Sequence, residues 1–179
     1  MHATQGSLSL IVAVMVMFLA SCADDFPGSA TALCPSEIDF EVVSAVAEKR
    51  CGTLDCHGAL TRPLKIYGRN GLRFLTQEEV DDPTKIEPNE TYPGGKATTA
   101  TEHEFNRRSM CGVEPEKTTA VVRGELEPSE LLLLRKPLEE EDHKGGPLFL
   151  KGGAGAVCVE SWLAGDVNVA ECNLANANL

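Results

Sequence analysis

The chain has 179 residues, a net charge of −11 and an aromatic fraction of 5%. The acidic balance argues against nucleic acid as a partner, because that recognition leaves a basic footprint. A length of this order suits one domain with a modest aliphatic core, one that would lean on disulfides or on a large apolar cofactor as filler.

From Leu8 to Ala20 runs an apolar stretch too short to persist as a bilayer-spanning helix, and it ends in Leu19-Ala20-Ser21-Cys22, a small-residue cleavage site with cysteine at the cut. The pattern resembles a bacterial lipoprotein signal, although Met1 to Gln5 carry no Lys or Arg. The resemblance implies that residues 1–21 are removed, that Cys22 is acylated, and that its lipid tethers the mature chain to a membrane. Ala23 rather than Asp after that cysteine favours the outer over the inner membrane for such an exported lipoprotein. Residues 22–35, small and polar, read as a tether.

Export places the remaining cysteines, Cys34, Cys51, Cys56, Cys111, Cys158 and Cys172, in an oxidising compartment. Counting does not choose their pairs. A Cys158 to Cys172 bond would staple the C-terminal tail onto the preceding helix. Ser36-Glu37-Ile38-Asp39 has a capping-box pattern, and Ile38, Val42, Val43, Val46 and Ala47 follow at helical spacing up to Lys49-Arg50. That helix delivers the chain into Cys51-Gly-Thr-Leu-Asp-Cys56-His57-Gly58, the most informative stretch of the sequence. A Cys-His pair with a second cysteine just upstream is how proteins hold haem covalently, two thiols meeting the vinyl groups and the imidazole meeting the iron. Four residues separate the cysteines here, where two are usual.

Beyond the motif, Arg62 to Gly68 reads as a short extended segment, and Thr76-Gln77-Glu78-Glu79 starts a helical turn. Pro83, Pro88, Pro93, Gly94 and Gly95 mark a surface loop between Asp81 and Ala100. Thr101-Glu102-His103-Glu104 caps a helix running to Met110, with His103 on its surface. Pro128-Ser129 leads into a short helix through Leu131 to Leu134 that Pro137 stops, and Glu139 to Asp142 form an acidic run read as solvated surface. Gly152 to Gly155 open a last helix through Val157, Val159, Trp162 and Leu163, closed by Gly165, and the Asn/Ala-rich tail from Asn173 is expected to fray.

Three motifs in register resemble the diverged cytochrome-c-like domains of bacterial exported proteins. They are Cys51-x4-Cys56-His57-Gly58, Ser129 to Lys136 followed by His143-Lys144-Gly145-Gly146, and Trp162-Leu163-Ala164-Gly165. The resemblance covers about Ala45 to Gly165; Cys111, Cys158 and the acidic run depart from it. It implies a mainly α, disulfide-stapled, cytochrome-c-like domain over 36–172 with long irregular loops, followed by a tail at 173–179. Haem c would sit on Cys51 and Cys56, with His57 on iron and His143 as sixth ligand. Met110 is the alternative sixth ligand, one that would raise the potential. The function expected is electron transfer by a membrane-anchored periplasmic or surface lipoprotein, with a basic protein as redox partner. The alternative is a haem-free structural or binding lipoprotein that keeps a degenerate version of the domain. No enzyme is expected: neighbours such as Cys56 and His57 rarely point at each other as a nucleophile and base must, and neither Gly-x-Ser-x-Gly nor His-Glu-x-x-His occurs.

Overall fold

The computed structural model describes residues 32–69, 71–85 and 96–177, so the signal, Cys22 and most of the tether lie outside the described residues. Among these residues there are seven α-helices, two short 3-10 turns and no strand, and no helix is long and apolar enough to cross a membrane. The mainly helical, disulfide-linked architecture expected from the sequence is present.

Helix α1 (Phe40–Arg50) starts later than the Ser36 pattern suggests. The Ile38 amide donates to Ser36 Oγ two residues back, forming a turn, and Asp39 takes the left-handed conformation at φ 57°. Ile38 is therefore exposed, and Phe40 enters the core in its place, its ring 4.8 Å from that of Trp162. From there Phe40, Val43, Val46 and Ala47 keep the three-to-four spacing of a buried stripe.

A five-residue helix, α2 (Gln77–Asp81), carries the expected Thr76/Glu79 capping box. The segment at 62–68 forms turns rather than a strand, with a single bridge from Tyr67 to Leu72. Helix α3 (Ala100–Cys111) is capped by Thr99 and Glu102, two residues before the expected Thr101. The reason is the Glu102 carboxylate, which accepts from the Thr99 and Phe74 amides and from Arg73 Nε, so burying it satisfies donors of three residues at once. Helix α4 (Pro115–Val122), unforeseen from the sequence, begins with Pro115 in its first turn and buries Thr118, Thr119 and Val121.

After a 3-10 turn at Pro128–Glu130 comes the single-turn helix α5 (Leu132–Arg135), preceded by the extended residue Leu131. That break turns Leu131 and Leu134 into the core. Helix α6 (Ala154–Leu163) supplies Cys158, Val159, Trp162 and Leu163 to the same core, and Gly165, at φ 91°, supplies the positive φ that lets the chain reverse.

The tail does not fray at Asn173. Residues Val169–Ala177 form helix α7, against α6 and α1. Two forces act on it: the Cys158 to Cys172 disulfide anticipated from the sequence, and bonds to α1 in which Lys49 Nζ donates to the Asn176 carbonyl and Asn176 Nδ2 to that of Val42. A second disulfide, Cys34 to Cys111, ties the chain before α1 to the end of α3. Among the described residues the cysteines left unpaired are Cys51 and Cys56.

Candidate functional site

Cys51 stands at the C-cap of α1, its amide still bonded to the Ala47 carbonyl. The chain then closes on itself: the His57 amide donates to the Cys51 carbonyl at 2.8 Å, while those of Cys56 and Gly58 both reach the Thr53 carbonyl at 2.9 Å. Three buried glycines make this turn possible. A methyl group at Gly58 would run into the Gly52 carbonyl and come within 2.8 Å of the Gly71 Cα, and one at Gly71 would strike Gly52 and Gly58 in turn. The extra two residues between the cysteines are accommodated in this turn, and the loop returns to His57 with its backbone bonds made.

His57 projects from that loop into a cavity of about 370 Å³ whose walls are mostly apolar: Pro63, Leu64, Val113, Leu132, Leu133, Pro137 and Leu148, with Cys51, Lys136 and His143 also on the lining. The volume falls within the range of cofactor sites, roughly 300 to 1,000 Å³. The imidazole Nδ1 lies 3.2 Å from the Leu64 carbonyl, which sets Nδ1 as the protonated nitrogen and leaves Nε2 with its lone pair. Burial pushes the His57 pKa below the usual imidazole value against the opposing pull of that carbonyl, and His143 and Arg62 lower it further, so the ring is held neutral.

His143 comes from the far side, on the loop after α5. Its Nδ1 lies 3.0 Å from the Gly146 carbonyl, again leaving Nε2 free. The two imidazole rings are 6.3 Å apart between centres and within 7° of parallel. A metal to imidazole-nitrogen bond is about 2 Å, and the ligating nitrogen lies about 1 Å from its ring centre, so two imidazoles on opposite sides of one ion stand about 6 Å apart. The centre-to-centre separation found is of that size.

The thiols differ from those of a reactive or zinc-binding site. Burial, with the neighbouring Cys56 second and against the pull of Arg50, pushes the Cys51 thiol up to about 12, so it is a neutral S–H at physiological pH. Among the described residues no three His, Cys, Asp or Glu side chains converge as a zinc ion would need.

The sequence-predicted residues thus separate. Cys51, His57 and His143 share one cavity, with Cys56 in the same tight loop. Met110, 3% exposed, lies in the core behind Cys51 and lines a separate void of about 20 Å³. His103 is not the surface residue expected: its side chain is 15% exposed, with Nδ1 3.6 Å from Glu48 and Nε2 3.9 Å from Glu41. Glu48 is itself buried, and that burial raises its pKa against the hydrogen bonds of Thr98 and Ser44. Sequence reasoning missed Leu64 and Gly146, which act through backbone carbonyls and leave no side-chain signal. It also missed Gly52 and Gly71, whose only trace is that they are glycines near the motif.

Compared with protein-family models, with curated proteins and with solved structures, the chain gives no match.

Proposed function

We propose that this chain holds one haem c through Cys51 and Cys56, with His57 and His143 as its two axial ligands, and serves in electron transfer as a membrane-anchored lipoprotein. The observation that carries the reading is the pair of parallel imidazoles 6.3 Å apart across an apolar cavity, each with Nδ1 on a backbone carbonyl. Bound there, haem supplies a one-electron iron couple. The chain's own residues do the rest. The thiols of Cys51 and Cys56, left free of disulfides, would hold the haem as thioethers, a linkage that consumes no oxidant. The Leu64 and Gly146 carbonyls fix the tautomers and make each free Nε2 a better donor. The aliphatic walls exclude water and keep the local dielectric low, which governs the potential together with the ligand pair.

Cysteine usage supports this over the haem-free alternative: four cysteines of the domain pair with one another, and the two left as thiols are those of the Cys-His motif. The two-histidine set is preferred to one with Met110, which faces the core. An acidic chain of this kind would dock a redox partner through a basic patch on that partner.

The test is an absorption spectrum of the mature domain from Ala23, produced in a periplasm with cytochrome c maturation machinery and reduced in alkaline pyridine. A sharp α-band that survives acid-acetone extraction is the expected result. A colourless folded protein would overturn the reading in favour of a structural or binding lipoprotein.

A further inference from the structure

The acidic run before His143 lies on the surface, as expected, and is also paired with basic side chains. Three of its four members are tied to a basic residue: Glu140 Oε1 to Lys151 Nζ at 2.9 Å, Glu141 to Arg135 at 3.3 Å and to Lys136 at 3.6 Å, and the Asp142 carbonyl accepts from Lys136 Nζ at 2.9 Å. Lys136 is the one residue in this set that also lines the cavity. Lys136 and His143 line the same cavity, and the Lys136 ammonium holds the carbonyl immediately before that histidine. The loop's other anchors are backbone bonds from Leu148 and Phe149 to the Pro137 carbonyl, and from Gly146 to the His143 carbonyl.

We propose that Lys136 is a positioning residue for the sixth ligand: by holding the Asp142 carbonyl and Glu141 it sets His143 against the cavity, so that the ligand's release is governed by an exposed, salt-sensitive clasp. The proposal rests on the haem reading for its ligand chemistry and on the loop geometry for its structural part. A consequence is that the site takes a small neutral ligand such as carbon monoxide on reduced iron at the position His143 leaves, and that the clasp limits the rate. Exposed pairs of this kind are individually weak, and their loss should speed release by about three- to tenfold rather than abolish ligation.

The experiment compares the full mature protein with Lys136→Met and Lys136→Arg. Two things are measured: carbon monoxide binding to the reduced protein at low and high salt, and amide hydrogen exchange at Gly146, Leu148 and Phe149. Lys136→Met is expected to bind carbon monoxide several-fold faster, with a smaller salt dependence and faster exchange at those amides, and Lys136→Arg to restore most of the wild-type behaviour. Unchanged binding and unchanged exchange would overturn the proposal, as would faster exchange with unchanged binding, which would make Lys136 a loop anchor with no bearing on the ligand. Should the protein be colourless, the haem reading fails and takes the ligand-positioning proposal with it; faster exchange in Lys136→Met then leaves Lys136 a loop anchor only.

Discussion

The loop that carries His57 and the loop that carries His143 face each other across one cavity and are held by opposite means. Residues 51–58 are locked by backbone against backbone: Gly52, Gly58 and Gly71 are buried and so closely apposed that no side chain fits between them, and the turn's amides find carbonyl partners inside the loop. Residues 139–146 also make backbone bonds, Glu139 to Lys136, Glu140 to Arg135 and Gly146 to His143, but no such interlock, and are tied further by charged side chains between about a third and nine-tenths exposed. Steric interlock is insensitive to salt and pH, and it fails completely when it fails, because close-packed backbone cannot yield. Ion pairs in water are graded and screened. On the ligation proposed above, the arrangement would give one ligand of fixed position and one whose hold can be tuned without unfolding the domain.

If the two loops are separable, damage to the shared scaffold should cost stability without favouring either. Removing the Cys34 to Cys111 bond by a double Cys→Ser change frees a loop of 77 residues in sequence separation, and chain entropy puts the loss at about 4.5 kcal/mol. The 14-residue separation of Cys158 and Cys172 corresponds to about 3 kcal/mol by the same argument. Both variants should keep their haem spectrum while their denaturant midpoints fall. Loss of the spectrum in a still-folded variant would mean that the disulfides position the site itself.

Gly58→Ala attacks the interlock directly. The added methyl meets the Gly52 carbonyl and the Gly71 Cα, both backbone, so relief requires the loop to move as a body. An overpacking cost of about 3 kcal/mol or more is expected, together with failure of covalent haem attachment, since His57 and Cys56 adjoin the displaced residue. Thermal unfolding and the pyridine spectrum measure the two effects. A normally loaded Gly58→Ala protein would remove the steric half of the comparison.

How far the sequence revealed this arrangement depends on the range of the interaction. Helix α1 apart from its start, helix α6 with Gly165 at its end, and the Cys158 to Cys172 bond were legible, because each is set by residues within about four turns of one another. Cys34 and Cys111 were not, since a contact across 77 positions leaves no local pattern. The cap at Thr99 was displaced by Glu102, whose partners Arg73 and Phe74 come from another loop. Ile38 satisfied the helical spacing and is nevertheless outside, because the Ser36 turn competes locally with helix. The place of His143 in a turn before glycines was legible, and so was the exposure of the acidic run; the pairing of that run with Arg135, Lys136 and Lys151 was not, because charge composition does not name the partners the fold brings to it.

A smaller perturbation probes the outer loop. Gly145 lies against the His143 ring, and a methyl there would be 3.1 Å from Cε1 and 3.5 Å from Nδ1. Unlike the contacts at Gly58, this one is with the end of a side chain, which can turn away. Gly145→Ala should therefore alter stability by less than about 1 kcal/mol while loosening the sixth ligand, seen as about threefold faster carbon monoxide binding. A large loss of stability would show that the outer loop is packed as rigidly as the inner one.

The smallest effect expected tests whether exposed ion pairs in this protein act on stability at all. Glu104 of α3 bonds both Arg107 and Arg108, at 2.7 and 2.6 Å, and the Arg107 hydrogen bond comes first among the causes that hold its carboxyl at about 2. A folded-state value below that of the unfolded chain means that the unfolded state takes up protons first as pH falls. The stabilisation is therefore present above about pH 4.5 and is lost as pH drops toward 2. Solvent screening reduces what such a shift implies, and about 0.5 kcal/mol is a reasonable size for it. Glu104→Gln should lower stability by that amount at pH 7 and converge with the wild type near pH 2, with no change in carbon monoxide binding. If it instead changed ligand binding as much as Lys136→Met, surface charge would be acting on the haem through the general field, and the clasp on residues 139–146 would lose its claim to specificity.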